Sequence, residues 1–562
     1  MGCSVKAIMY LRKTKRKNKD GSVVQYYQLA HNERHPVTGK STAQIIHSFG
    51  RADRLDRESL VRLCRSIARV CGMEVIDPLA DDDSKGGLPR NVTIRRTLEF
   101  GTVQVIEELW ERYGIGKTIR NALGNKRVAY DKALLSMVAN RLCTPESKLG
   151  VWDRWLETVY LPECRDFKLR QMYEAMDLLH EHSQEIEEQV FYKVANLFNL
   201  SVDIIFYDTT TASFAVDYED EEDGLRHYGH AKEGMWAPQV VVALAVTREG
   251  IPVRSWVFPG NTADVSTVET IKKDLRGWNL GRALFVADSG MNSENNRTEL
   301  AKACGTYLLA SRMASVKEIK ESVLTQPGRY RELSDNLHVK EVYLENGKRY
   351  ILCFNPKEAA RQAQHRQDIV AMLEEELQKH TDKSATKKWA ISLLASRRYK
   401  KYLVITDKQT IRIDRKAVRE AAKHDGKWVL ETNDDTISVE DAAHGYRGLM
   451  VIERCFRSLK RTQIRMMPMY HWLPHRIEAH VKICVLALLI ERMAEIKCGQ
   501  PWSRIRSVLS KIQATEFETP GHVFFQLNEL PKGAKTILEK LAISRPKRVM
   551  GIKHTPKKVA IV

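Results

Sequence analysis

Val202-Asp203-Ile204-Ile205-Phe206-Tyr207-Asp208-Thr209-Thr210-Thr211 is the stretch at which the sequence changes its period. Upstream, from Arg95 to Asn199, apolar residues recur at helical spacing. Val103, Ile106, Leu109 and Trp110 share one face, as do Leu134, Leu135, Met137 and Val138. At Val202 that spacing gives way to a short apolar run ending in Asp208, which predicts a buried strand delivering a carboxylate. Val240–Thr247 and Ile251–Phe258 then flank Arg248-Glu249-Gly250 as a hairpin. Thr267–Leu275 has a helical pattern, and Ala283–Ala287 predicts a further strand that runs into Asp288-Ser289-Gly290. Two strands therefore each place an aspartate at the C-terminal end, where sheets containing parallel strands gather their ligands.

Beyond this core, Arg312 to Glu440 reads as an insertion outside the main sheet. It holds a hairpin around Asn346-Gly347, a charged helix from Lys357 to His380, and strand-like runs at Leu403–Ile405 and Lys427–Glu431. Helices are predicted from Gly445 to Lys460 and from His475 to Ile496. A mainly helical tail follows Pro501 and ends in the basic stretch Lys547–Lys558. At the other end, Lys6–Leu11, Val23–Leu29 and Gln44–Phe49 are separated by Lys19-Asp20-Gly21 and Thr38-Gly39, the pattern of a small antiparallel sheet. A helix is predicted from Glu58 to Val70, and Leu79–Arg90, with three consecutive aspartates, reads as a linker. The expected architecture is multidomain α+β. It comprises a basic β domain with a helix (1–78), an all-α domain (91–200), a central α/β domain (201–498) with insertion 312–440, and a helical C-terminal region with a basic tail (499–562).

The formal charge of +19 points to a polyanionic partner. The longest apolar run, Val481–Ile490, contains Lys482 and is too short to span a bilayer, which leaves nucleic acid rather than a membrane. The ten cysteines are scattered without zinc-ribbon or Cys-x-x-Cys spacing, as befits free thiols in a reducing cytoplasm. His471, His475 and His480 have no cysteine or carboxylate at ligand spacing. They suit DNA-backbone contacts or ordinary surface positions better than zinc.

Metal-assisted phosphoryl transfer needs carboxylates that can bridge and flank two ions about 3.5–4 Å apart. Asp208 and Asp288 suit that role, since short strands would fix them. A third acid stands in Tyr446-Arg447-Gly448-Leu449-Met450-Val451-Ile452-Glu453-Arg454-Cys455-Phe456-Arg457-Ser458-Leu459-Lys460. Seven residues make about two helical turns, so Tyr446, Glu453 and Lys460 share one stripe. The same helix could instead be a surface helix with a Glu453–Arg457 ion pair.

These residues carry a resemblance. The chain resembles the DDE transposases of bacterial insertion sequences, in the group whose RNase H-like catalytic domain carries a β-rich insertion and a Tyr-x2-Arg-x3-Glu-x6-Lys signature. Tyr446, Glu453 and Lys460 match the signature, whereas its arginine position holds Leu449. Tyr207-Asp208-Thr209-Thr210 and Phe285-Val286-Ala287-Asp288-Ser289-Gly290 match the first two acids. The resemblance implies an RNase H-like α/β domain in which Asp208, Asp288 and Glu453 hold two Mg2+ ions, with Mn2+ able to substitute. It implies further that Tyr446, Lys460 and Arg457 contact DNA. Lys427-Trp428-Val429-Leu430-Glu431-Thr432 is similar to the tryptophan-bearing strand that stacks on a flipped base in relatives. Trp428 is open to that role or to one in the core. Lys13 and Arg16, in a basic N-terminal hairpin, are open to gripping phosphate or to being solvated. The partners implied are double-stranded DNA, as terminal inverted repeats and target, and a second copy of the chain on paired ends. A bacterial cytoplasmic, nucleoid-associated location goes with them. A structure-specific nuclease on the same scaffold and a catalytically silent DNA-binding derivative are the rival readings.

Overall fold

The computed structural model describes residues 9–18, 23–34, 41–71 and 92–554, apart from 125, 199, 201, 233, 276–277, 279–282, 304, 314–315 and 520–521. The chain forms two compact units, Met1–Arg90 and Asn91–Val562.

In the first unit β1 (Met9–Lys17), β2 (Val23–Arg34) and β3 (Ser41–Arg51) make an antiparallel sheet in that order, followed by α1 (Arg57–Val70). The basic run that includes Lys13 and Arg16 is strand β1 itself, and both side chains are exposed. An edge strand lined with cations resists pairing with another edge. The expected turns at 19–21 and 38–39 and the linker at 79–90 lie outside the described residues.

The second unit opens with a strand, β4 (Thr93–Glu99). Six helices follow: α2 (Gly101–Arg112), α3 (Ile115–Leu123), α4 (Tyr130–Cys143), α5 (Lys148–Asp153), α6 (Leu169–Glu181) and α7 (Ser183–Leu197). The next elements are β5 (Ile204–Ser213), β6 (His227–His230), β7 (Trp236–Thr247), β8 (Pro252–Pro259), α8 (Thr267–Leu275), β9 (Leu284–Ala287), α9 (Glu294–Ala303) and β10 (Tyr307–Ser311). In space the order is β8-β7-β5-β9-β10. β5, β9 and β10 are parallel, and β7 and β8 are antiparallel to their neighbours.

Alternation along the strands sends successive side chains to opposite faces. Ile204, Phe206, Leu284 and Val286 enter a core shared with α2 to α6, while Ile205, Tyr207, Phe285 and Ala287 enter a second core with α7, α8 and α9. The helical region 91–200 is thus not separately cored, because its apolar faces and one face of the sheet bury each other.

Two expectations are corrected. The segment 312–440 does not lie wholly outside the main sheet. Its strands β11 (Arg331–Ser334), β12 (Leu337–Tyr343), β13 (Arg349–Phe354) and β16 (Lys427–Thr432) extend that sheet to ten strands. Between β13 and β16 (Lys427–Thr432) lie α10 (Pro356–Lys379), α11 (Lys388–Ala395), α12 (Arg397–Lys400), β14 (Leu403–Ile405), β15 (Ile411–Ile413) and α13 (Arg415–Ala422), with a small core of their own. β16 pairs with β10 on one side and β13 on the other. The physical reason is the edge of β10, whose backbone groups would otherwise lack partners. Buried Glu431 of β16 reinforces the join through an ion pair to Arg297 at 3.1 Å.

The C-terminal region is likewise not mainly helical. After α14 (Val439–Arg447), α15 (Met450–Arg457), α16 (Pro474–Cys498) and α17 (Trp502–Leu509) come β17 (Gln513–Thr519), β18 (His522–Leu527), α18 (Ala534–Lys540) and β19 (Val549–His554). The strands form a four-stranded sheet, β19-β18-β17-β4. Among the described residues no helix is long and apolar enough to cross a membrane.

Candidate active site

Asp208 lies in the middle of β5 rather than at its end, because Thr209 to Ser213 continue the pairing with β7. Tyr207 is opposite Ala287 across the parallel β5–β9 pair, so Asp208 follows on β5 while Asp288 is the first residue past the end of β9. Such strands are about 4.8 Å apart. Both positions continue the alternation of Phe206 and Val286 and face the core side that carries α14 and α15. The register thus puts the two carboxylates side by side.

The helix expected from Gly445 to Lys460 is interrupted. α14 ends at Arg447, α15 starts at Met450, and a π-turn occupies Ser458–Thr462. Gly448, at the join, packs so closely on β5 that a Cβ there would come within 2.4 Å of the Phe206 ring. This close seat brings Tyr446 over the acids, where its hydroxyl donates to Asp288 Oδ1 at 3.2 Å. Burial pushes the phenol's pKa upward, and the charges of Asp288, Glu453 and Asp208 add to that shift. Glu453 is exposed on α15, above Ile452 and Phe456, which anchor the helix in the core. Lys460 is buried and donates to Thr210 Oγ1 at 3.2 Å, on the same face of β5 as Asp208.

Two further groups join the site. Lys232 Nζ donates to the backbone carbonyl and the hydroxyl of Thr209 and stands 3.6 Å from Asp208 and 3.8 Å from Asp264. Asp264 accepts from Thr209 Oγ1 at 2.6 Å, and its carboxylate approaches the turn after Asp288, within 3.8 Å of the position a Gly290 Cβ would take. Burial raises the Asp208 pKa above the usual carboxylate range. Lys232 and the Thr209 N–H oppose that shift, and the charges of Asp288 and Asp264 add to it. Neither Lys232 nor Asp264 sits in a periodic segment, so periodicity could not single them out.

The remaining expected residues do not converge here. Leu449 is 8 % exposed and packs in the core, which accounts physically for an apolar side chain where the signature has arginine. Arg447 donates to the Asn336 carbonyl at 2.5 Å. Among the described residues Arg457 forms no ion pair with Glu453; it lines a groove with Arg454, Glu491 and Glu495. Trp428 is half-buried against the main core, and among the described residues its enclosed indole N–H has no partner. Lys13 and Arg16 belong to the first unit.

Asp208, Asp288 and Glu453 offer hard oxygen donors of the kind that small divalent cations take. Lys232 already sets a positive charge between Asp208 and Asp264. Among the described residues no group of three or more His, Cys, Asp or Glu side chains is placed so that it could hold a metal ion, and Asp208, Asp288 and Glu453 are not drawn together as one. The donors suit an open site that leaves positions for water and substrate oxygens.

Residues 203–490 match the family described as transposase DDE domain, and residues 11–77 match the IS1634 family transposase N-terminal domain. A solved structure, the cryo-EM structure of piggyBac transposase synaptic complex with hairpin DNA, aligns over 73 % of this chain and 79 % of its own. At 10 % identity and a TM-score of 0.33 it is a distant likeness on which no argument rests. No curated protein matches.

Proposed function

The chain belongs to the transposase DDE domain family, and from that premise we propose that Asp208, Asp288 and Glu453 are the acids of an insertion-sequence transposase. One observation carries the assignment: two aspartates, one on β5 and one just past the end of the adjacent parallel β9, face the helix pair that bears Tyr446 and Glu453, with Tyr446 bonded to Asp288. The order β8-β7-β5-β9-β10, with three parallel strands after an antiparallel hairpin, supports an RNase H-like arrangement.

Bound divalent ions, two Mg2+ or Mn2+ in their place, would activate the attacking oxygen and stabilise the leaving oxygen. Asp208, Asp288 and Glu453 would hold them. Tyr446 fixes the orientation of Asp288 through its one hydroxyl hydrogen, and its ring helps shape the face where DNA would lie. Lys460, seated on Thr210, places a cation below the same face. Lys232 tempers the repulsion between Asp208 and Asp264 until substrate arrives. In cleavage, water attacks phosphorus in line and the phosphorus–O3′ bond breaks, leaving a 3′-hydroxyl. In transfer, that hydroxyl forms a new bond to a target phosphorus, and the target's own 3′-oxygen departs with the proton. The basic strand β1 suits contact with the DNA backbone at an element end, and two copies of the chain would pair two ends.

A pre-cut element end, plasmid target and Mg2+ provide the test. Strand transfer is expected from the native chain, and Asp208→Ala or Glu453→Ala should reduce it at least about 10³-fold. Hydrolysis without transfer, or cleavage untouched by both substitutions, would overturn the proposal.

A further inference from the structure

A cavity of about 700 Å³ lies between α4, the start of α5 and the segment preceding α16. Arg141, Lys148 and His480 line it, and they are 5 %, 3 % and 5 % exposed. Among the described residues neither buried cation forms an ion pair. Arg141 donates to the carbonyls of Arg465 and Glu146, and its Nε is enclosed without an acceptor. Lys148 has His480 Nδ1 at 3.1 Å. His480 Nε2 lies 3.0 Å from the Met466 carbonyl, which can only accept. Nε2 therefore carries the ring proton, Nδ1 accepts from Lys148, and the ammonium keeps two further hydrogens for the cavity. The one carboxylate in the lining, that of Glu146, is engaged by Arg154 at 2.9 Å.

Two buried cations that form no ion pair are costly unless an anion completes them. Burial and Arg141 lower the Lys148 pKa to about 7, and burial lowers that of His471 to about 3. Burial is the larger cause of both shifts, and the neighbouring cations add to it. The cavity is tied to the acidic face: Met469 bridges to Phe214, immediately beyond β5, and Phe214 is six residues past Asp208.

We propose that this cavity is an oxyanion site, in which Lys148 and Arg141 hold a backbone phosphate of the DNA strand away from the reacting bond. The oxyanion site stands on its own geometry; its occupation by DNA rests on the transposase reading.

The test uses the full chain, with DNA affinity measured against salt concentration and Tm measured in inorganic phosphate against chloride of equal ionic strength. Lys148→Met removes a buried charge and should fold with an undiminished Tm. Its DNA affinity should fall about tenfold, the slope of log affinity on log salt should flatten by about 0.9, and Lys148→Arg should restore both. A phosphate-induced rise in Tm seen in the native chain and absent from Lys148→Met would show that free phosphate also enters. A change confined to the DNA arm would identify a strand phosphate as the occupant. Either outcome supports the site, whereas Lys148→Met matching the native chain in both arms overturns it. The native chain gives an independent check: single methylphosphonates along the DNA should show one sensitive position away from the cut, and a flat scan removes DNA as occupant. Asp208→Ala should abolish cleavage yet leave every one of these readouts intact, which separates failure of this site from failure of the transposase reading.

Discussion

The acidic face and the cationic cavity handle buried charge in opposite ways. At the acids the protein supplies its own compensation: Tyr446 donates to Asp288, and Lys232 stands between Asp208 and Asp264. In the cavity Arg141 and Lys148 have only carbonyls and a neutral imidazole. The first region is therefore organised before any ligand binds, and the second is left to be completed by one. Selection for reaction geometry and selection for grip leave different electrostatic signatures in a single fold.

Moving the helix should separate the two regions most sharply. Gly448→Val would push α15 off Phe206, and a displacement near 1 Å at Glu453 should lower the transfer rate about 10²-fold. DNA affinity and its salt slope should stay unchanged; a parallel loss of both would mean the regions are not independent. Glu491 offers an intermediate effect. It is an acid buried with Ser458 Oγ at 2.5 Å, and burial raises its pKa from 4.5 to about 7. A raised acid stabilises the fold below its unfolded value, and that contribution is lost as pH rises through the folded one. Between pH 4.5 and 7 the native chain should lose on the order of 3 kcal/mol relative to Glu491→Gln, as denaturant titrations would measure. Equal pH profiles would contradict the assignment. The smallest effect is expected at Asp208. Its pKa is raised too, chiefly by burial, so its ionisation costs stability at neutral pH. Without metal, Asp208→Asn should raise Tm by about 1 °C, and added Mg2+ should stabilise the native chain alone. A lower Tm for the variant would show the acidic face to be better compensated than its contacts suggest.

Legibility followed the range of the interactions involved. Asp208 and Asp288 were readable because short apolar runs lead into them and the alternation that aims them is local. Tyr446, Glu453 and Lys460 were readable from helical spacing, although the break at Gly448 was not. The hairpin around Asn346-Gly347 and the strand at 427–431 were recognisable, whereas the short β11 was not, and their membership of the main sheet was hidden because a strand's partner is absent from its own sequence. Gln513–Thr519 concealed its strand character for a different reason. One of its inward positions is Glu516, which is 8 % exposed and paired to Arg96 at 2.7 Å, so charge interrupts the apolar alternation. Lys232 and Asp264 become site residues only through the fold. The Lys148–His480 contact joins residues separated by 332 positions, beyond the reach of any spacing argument.

The pairing of β4 with β17 has a consequence for how genes of this kind decay. Thr93–Glu99 emerges early in translation, and its partner Gln513–Thr519 emerges only after all three acids have been made. A reading frame interrupted anywhere between Lys460 and Gln513 would preserve every signature residue while leaving an early strand without its mate. In a genome, survival of the acidic motif would then record ancestry, and survival of Gln513–Thr519 would be the better sign of a working copy.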